Sequence, residues 1–306
     1  MHITQNSFLK TAFKPLISVT KWLGKNNPET LVKIRYFVRF HKFLNLDNPK
    51  TLNEKILYLS LRTDTTEWTR LSDKYNVRKY VEDCGLKENL VQLYAHWTNE
   101  NEIDFSSLPD SYVIKSAQGC GDIILVKDKK TIDESNIKEK LKPMLSERYG
   151  ALEGGKHYLR IEPAVIVEEL LPIENGQSLT DYKIWCFNGK PEFILTCSNR
   201  FKDGVHLGSY DKYWNYRPSD MMFSKEHLEE KEPLVKPENL DKMLEVAEKL
   251  AKPFPCVRVD LYNINGTIYF GEMTFTSLGG LMDYYTDEFQ KLAGSQIDLS
   301  KVKVMR

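Results

Sequence analysis

"VRVDLYNINGTIYFGEMT", residues 257–274, reads as two strands around an Asn-Gly turn. Alternation puts Val257, Val259 and Leu261 on one face and Arg258 and Asp260 on the other. The side taken by Glu272 depends on the turn. A two-residue Asn265-Gly266 turn pairs Asp260 with Gly271 and sends Glu272 to the apolar side. A three-residue loop from Ile264 to Gly266 pairs Asp260 with Phe270 and Arg258 with Glu272, and Gly266 suits its left-handed position. The three-residue register is expected, because it keeps Arg258, Asp260 and Glu272 together and out of the core. Two converging carboxylates are hard ligands suited to Mg²⁺, and Thr274, two residues on, could add an oxygen. The same residues also read as an exposed cross-strand Arg–Glu pair of little energetic consequence.

A second hairpin lies upstream. "SYVIKSAQGCGDIILV", residues 111–126, reads strand, glycine-rich bend, strand, with Lys115 at the end of the first strand. Gly119 and Gly121 let the backbone approach a ligand closely, and the lysine adds a positive charge, a combination that suits a phosphate. It is not a Walker loop: no GK[ST] is present, and a strand follows where that motif needs a helix. A plain turn with a surface lysine fits the residues too. Cys120 has no base beside it in the sequence and is expected to pack rather than react.

The whole chain narrows the classes. Its 306 residues suggest two or three lobes. Lys+Arg and Asp+Glu both number 43, so the basic excess of a nucleic-acid binder is missing. Five cysteines without CxxC spacing argue against a disulfide framework or zinc site and for a reducing compartment. No run of about 18 apolar residues suggests a membrane span, and no signal-peptide core is seen, so a cytoplasmic enzyme is expected.

Residues 3–24 mix Phe, Leu, Ile and Trp with lysines and no acids. They read either as an interfacial amphipathic helix, giving a peripheral membrane contact, or as a surface helix broken near Pro15; the second is preferred. Residues 29–45 continue helical. Thr51 and Glu54 form a capping-box pattern, after which Leu52, Ile56, Leu59 and Leu61 fall near one face. Asp73 opens and Gly85 closes another helix. Short β-rich runs follow at "LVQLYAHW", "SYVIK" and "DIILV", then a helix over 131–150 and a buried strand in "EPAVIVEELL". "DYKIWCFNGKPEFILTCSNR" is a hairpin turning at Asn188-Gly189. Residues 201–235 read as loop-rich, and "PENLDKMLEVAEKLAKPF" as a helix.

Taken in order, "KTLNEKI", "SDKYNVRKYV", "LPDSYVIKSAQGCGDIILV", "DYKIWCFNGKPEFI" and "VRVDLYNINGTIYFGEMTFTS" make a specific set. The chain resembles the TupA-like ATP-grasp proteins of bacterial polysaccharide gene clusters over roughly residues 48–290. The resemblance implies an α+β fold in which two lobes clasp ATP. Expected divisions are a helical extension at 1–50, a linking helical region at 51–110, a small lobe at 111–170 and a large lobe at 171–306.

The resemblance also implies roles. Lys74 and Lys115 match the two phosphate-reaching lysines, with Gly119, Cys120 and Gly121 forming the loop beside the nucleotide. Glu168, Glu169, Leu170 and Leu171 match the hinge that receives adenine. Asp181 matches the acid that tends to hold the ribose hydroxyls, and Lys183 on the same face is expected to reach a phosphate. Asp260 and Glu272 match the Mg²⁺ ligands. Arg258 matches a basic residue at the transferred phosphate, and Arg200 is expected with Lys183 and Arg258 among the catalytic residues. Two departures stand out: Thr274 replaces the usual asparagine, and "TFTSLGG" carries Ser277 and Leu278 where a proline is expected.

The implied activity joins a carboxylate to an amine through an acyl phosphate. The polysaccharide association suggests a sugar acid or polysaccharide precursor as one substrate and an amino acid or amine as the other. A glycosyltransferase and a non-catalytic scaffold are the alternatives, although no nucleotide-sugar DxD site is found. His96, His157 and His206 are expected to be structural or surface groups. Because the metal carboxylates are expected on an exposed face, Asp260→Asn and Glu272→Gln are expected to leave the fold intact.

Overall fold

The computed structural model describes residues 7–172, 179–198, 204–230 and 232–305, with side chains from residue 16 onward. Helices α1 (Ser7–Asn26) and α2 (Pro28–Phe40) open the chain. The expected break near Pro15 does not occur; α1 runs through it. The Asn27 side chain caps α2 by accepting from the Thr30 N–H, and His41 at φ 54° ends it.

Three helices follow: α3 (Leu52–Arg62), α4 (Thr66–Ser72) and α5 (Val77–Asp83). The Thr51/Glu54 capping box forms on both sides, as its spacing predicts. Asp73 ends α4 and receives the Tyr75 and Asn76 N–H groups in a turn that delays α5 to Val77. Leu52, Ile56 and Leu59 enter one core, whereas Leu61 turns with Leu57 into another, beneath Val32 and Tyr36 of α2.

The first sheet has four antiparallel strands: β1 (Leu93–Trp97), β2 (Tyr112–Ser116), β3 (Ile123–Val126) and, after helices α6 (Glu134–Ser146) and α7 (Lys156–Leu159), β4 (Val165–Glu168). Their spatial order is β1-β4-β2-β3. Tyr112, Ile114, Val165 and Val167 pack beneath Ile137, Leu141 and Met144 of α6.

The second sheet has six strands. Strands β5 (Asp181–Phe187) and β6 (Lys190–Ser198) form the first hairpin, and β7 (Val205–Asp211) and β8 (His227–Glu229) extend it. Helix α8 (Leu240–Ala251) precedes the final hairpin of β9 (Cys256–Ile264) and β10 (Thr267–Thr274), and α9 (Asp287–Gln296) ends the ordered elements. The order is β10-β9-β5-β6-β7-β8, antiparallel except for β7 with β8. Helices α3, α4, α5, α8 and α9 share one hydrophobic core with this sheet.

Both hairpins turn on Asn-Gly with positive φ at each residue, 50° and 79° at Asn188-Gly189 and 50° and 82° at Asn265-Gly266. This is the twist-compatible two-residue turn. The three-residue loop expected at Ile264 is therefore not formed, since Ile264 pairs directly with Thr267. The expected pairs Asp260–Phe270 and Arg258–Glu272 do not form either, yet the shared face is recovered further on. Phe270 opposes Leu261 but Glu272 opposes Asp260, leaving Gly271 as an extra, bulged residue. The bulge returns Glu272 to the face of Asp260. The shared face was expected for the wrong reason. Strands β7 and β8 lie within the stretch expected to be loop-rich over 201–235.

Candidate functional site

The two sheets face each other across a cleft lined on one side by Lys115, Ile166, Glu168 and the 119–123 bend, and on the other by Asp181, Lys183, Asp260, Tyr262, Phe270 and Glu272. Lys74, in the turn before α5, and Arg78, in the first turn of α5, line it as well.

At the four-stranded sheet, the buried Glu168 carboxylate receives two cations. Lys115 Nζ lies 2.9 Å from Oε2 and Arg78 Nη1 3.0 Å from Oε1. Arg78 also donates to the Val91 carbonyl at 2.8 Å, which ties α5 to the strand edge. The chain then leaves β4, and Glu169 N–H donates to Gln92 O at 2.9 Å. Leu170 is half-buried and Leu171 buried, both beyond the strand end.

The glycine bend is anchored at its base and open at its tip. Gln118 is buried; its amide donates to Met144 O and accepts from Ala164 N–H. A Cβ at Gly119 would lie 2.9 Å from Ser116 Oγ, so that glycine answers a steric need. Gly121 has φ +87° with open space around it, so its requirement is conformational. Lys74 Nζ donates to Gly119 O, and Cys120 Sγ lies 3.2 Å from the Tyr149 hydroxyl. Residues 120–123 are exposed.

At the six-stranded sheet, Asp260 is buried at the centre of a charged network. One oxygen accepts from Arg258 Nε at 2.7 Å, and the other accepts from Arg258 Nη2 at 2.8 Å and Lys183 Nζ at 2.5 Å. Burial alone would raise its pKa; the Arg258 and Lys183 charges outweigh that and hold it at about 2. Burial likewise opposes the charges on Lys183 and Arg258, yet Asp260 keeps both pKa values above their ordinary levels. Asp181 lies 3.8 Å from Lys183 on the same strand face.

Arg258 reaches further, donating to Ser277 Oγ at 2.6 Å and Thr274 Oγ1 at 3.2 Å. Thr274 in turn donates to Glu272 Oε1 at 3.1 Å. The Glu272 side chain is 36% exposed, 3.7 Å from Arg258 and 4.0 Å from Lys74. The carboxylates thus differ: Glu272 opens to the cleft, while Asp260 is only 2% exposed. The expectation that substitution at Asp260 leaves the fold intact is corrected by this burial, which leaves two cations dependent on one carboxylate.

Lys74, Lys115, Gly119, Cys120, Gly121, Glu168, Asp181, Lys183, Asp260 and Glu272 therefore line one cleft. Arg258 and Thr274 line a second cavity, which shares Lys74, Lys183 and Glu272 with the first. Arg200 lies outside the described residues. Sequence reasoning missed Arg78, Tyr262 and Phe270. Arg78 stands one helical turn beyond Lys74, and Tyr262 and Phe270 stand two residues from Asp260 and Glu272; both spacings carried the signal.

His96, His157 and His206 line neither cavity, whereas His227 lines the second. His157 is fully buried against Trp68 and Tyr158, and burial pushes its pKa down to about 3. His96 stacks on Tyr75 with ring centroids 3.7 Å apart. His206 Nδ1 is 3.9 Å from Glu230.

The donor set at the hairpin fits Mg²⁺. Glu272 faces the cleft, and Asp260 opposite it is ionised with its oxygens held by Arg258 and Lys183, so both are hard oxygens at paired positions. Among the described residues no group of three His, Cys, Asp or Glu could enclose a metal. A two-carboxylate set suits an ion that completes its shell with phosphates and water.

A search of curated proteins by sequence finds no match. Among solved structures, the chain is similar to a D-alanine–D-alanine ligase from Bacillus anthracis, with 15% identity, 78% of this chain and 67% of that one covered, and a TM-score of 0.48. It is also similar to an L-amino acid ligase from Bacillus licheniformis, with 13% identity, 84% and 55% coverage, and a TM-score of 0.46. A family model described as TupA-like ATPgrasp matches residues 54–298. With most of its length matched and an α+β architecture of two facing sheets, the chain belongs to the TupA-like ATP-grasp family.

Proposed function

We propose that the protein is an ATP-dependent ligase that joins a carboxylate to an amine, a carbon–nitrogen bond-forming reaction that proceeds through an acyl phosphate. The observation that carries this reading is the convergence of Lys74, Lys115, the 119–121 bend, Asp260 and Glu272 on one cleft between two sheets. ATP is assigned to that cleft. Ile166, Tyr262 and Phe270 supply apolar contacts for its base, with Glu168 to Leu171 beside them and Asp181 toward the ribose. Lys74 and Lys115 bind the phosphates. Asp260 and Glu272, with Thr274 orienting Glu272, are the residues that would hold Mg²⁺, which when bound neutralises phosphate charge.

The substrate oxygen attacks the γ-phosphorus and ADP leaves. The amine then attacks the acyl carbon, loses a proton and expels phosphate. Positioning and charge neutralisation carry most of such phosphoryl transfers. The protein meets that need with a preset cation: Arg258 is fixed by Asp260 and Ser277 before any substrate arrives. The second cavity, running from Arg258 and Glu272 toward Tyr158, Leu278 and Tyr284, offers room for the acceptor. Lys183 is assigned to the phosphate, and Arg200 joins it in the proposal on the resemblance alone.

The proposed carboxylate is a sugar acid or polysaccharide precursor and the proposed amine an amino acid or simple amine, in bacterial surface polysaccharide synthesis at the cytoplasmic side. Support for this half is the family's polysaccharide association. The test is ADP release across a matrix of uronic acids and amines, with hydroxylamine added to trap an acyl phosphate. Turnover requiring both an acid and an amine supports the reading. Turnover on a nucleotide sugar without ATP would replace it with a glycosyl transfer.

A further inference from the structure

The helices α1 and α2 lie almost wholly outside the family match, and they carry a surface that the cleft does not use. Of the twenty large apolar side chains exposed among the described residues, eight fall within residues 16–43. Leu16, Val19 and Trp22 recur at three-residue spacing along one stripe of α1. Ile34, Phe37 and Val38 make the matching i, i+3, i+4 stripe on α2. Phe43, the most exposed of them at 85%, stacks on Phe37 with ring centroids 5.2 Å apart.

These stripes are not the faces that hold the helices to the body. Gly24 does that on α1, since a Cβ there would run into the Ala151 carbonyl. Leu31, Val32 and Tyr36 do it on α2. The helix pair is therefore docked and still leaves an apolar stripe exposed on each helix, one carrying Trp22 and the other Phe37.

Charge says what covers that face. Residues 1–45 hold eight Lys and Arg against a single acid, Glu29, in a chain whose net charge is zero. Lys33, Arg39 and Lys42 have acidic partners in Glu29, Asp283 and Asp287. Lys21 and Lys25 are exposed and have no acidic partner among the described residues. A second copy of this chain would bring two strongly basic surfaces together, which opposes self-association. Exposed Trp, Phe and Leu beside unpaired lysines are the composition of helices that lie in a membrane interface. No described helix is long and apolar enough to cross a membrane, so the contact is peripheral.

We infer that α1 and α2 dock on an anionic lipid surface, with Trp22 and Phe37 entering the headgroup boundary and the lysines meeting lipid phosphates. Arg35, between the two stripes' residues on α2, donates to Leu152 O and lines the rim of the second cavity, so the docked face adjoins the proposed acceptor entrance.

The test is co-sedimentation of the full chain with phosphatidylcholine vesicles, with and without phosphatidylglycerol. Binding to the anionic vesicles should be at least roughly tenfold tighter and should weaken as salt rises. The double variant Trp22→Glu, Phe37→Glu should lose at least about tenfold in binding while unfolding at the parent temperature, because both side chains are exposed. Equal binding to neutral and anionic vesicles, or parent-like binding by the double variant, would overturn the inference. So would light scattering that finds a dimer in the parent and a monomer in the double variant, which would assign the face to a second copy.

Discussion

Replacing Asp260 with asparagine keeps size and removes one charge, and the structure makes this a change of stability as well as of activity. The Arg258 and Lys183 side chains are 7% and 10% exposed, and Asp260 gives them three hydrogen bonds. Removing one partner of a buried pair costs about 3–5 kcal/mol. Glu272 at 3.7 Å from Arg258 and Asp181 at 3.8 Å from Lys183 offset part of that, so about 3 kcal/mol is expected. Linkage gives the same scale: a carboxyl held at about 2 against an ordinary 3.8 contributes roughly 2 kcal/mol. In a chain of this size that lowers Tm by on the order of 5 °C. Glu272→Gln, at a cleft-facing carboxylate with long ion pairs, should cost under about 1 kcal/mol. Both variants should lose ADP release, because both carboxylates are assigned to the metal in the proposed function. Thermal and urea unfolding of the two, side by side, measure the difference. The sign with pH follows: the Asp260 contribution is present above the ordinary carboxyl range and is lost as pH falls through about 2. The deficit of Asp260→Asn should therefore shrink in acid. An Asp260→Asn protein as stable as the parent, or a Glu272→Gln protein that falls further, would refute the buried-network reasoning.

Lys115→Ala should weaken ATP-analogue binding by roughly tenfold while Arg78 keeps Glu168 paired and the fold intact, as calorimetric titration and unfolding can check. Gly121→Val forces a β-branched residue to φ +87° and should lower both turnover and stability, the latter by about 1–3 kcal/mol. Hydrogen exchange should distinguish the exposed 120–123 tip, protected on nucleotide binding, from 116–119, already slow without it. His157 cannot take a proton in the folded state until pH is near 3, whereas the unfolded chain takes one near 6.5. Stability should fall by about 1.4 kcal/mol per pH unit below that value, and His157→Gln should remove this slope from acid unfolding curves.

Much of the site was legible because its signals are local. The capping box at Thr51, the Asn-Gly turns and the strands carrying Lys115, Asp181 and Asp260 follow from short-range rules. The register of the last hairpin did not, because the two-residue turn and the Gly271 bulge offset each other. A glycine within a strand was the available clue to the bulge. The network around Asp260 takes in Lys183 from a neighbouring strand and, through Arg258, Ser277 from a later loop, so no reading of its own hairpin could reveal it. Short elements owe their form to their neighbours, α4 packing into the large sheet's core and β8 pairing with β7, and their residues carry too little periodicity to announce it. Pro15 was read as a break, but α1 continues through it.

The account stands most directly on what the cleft binds. Calorimetric titration of a non-hydrolysable ATP analogue, with and without Mg²⁺, into the parent and Glu272→Gln proteins decides it. The account predicts Mg²⁺-enhanced binding to the parent, loss of that enhancement in Glu272→Gln, and no binding of a UDP-sugar. Binding of the UDP-sugar with no response to the ATP analogue would contradict it.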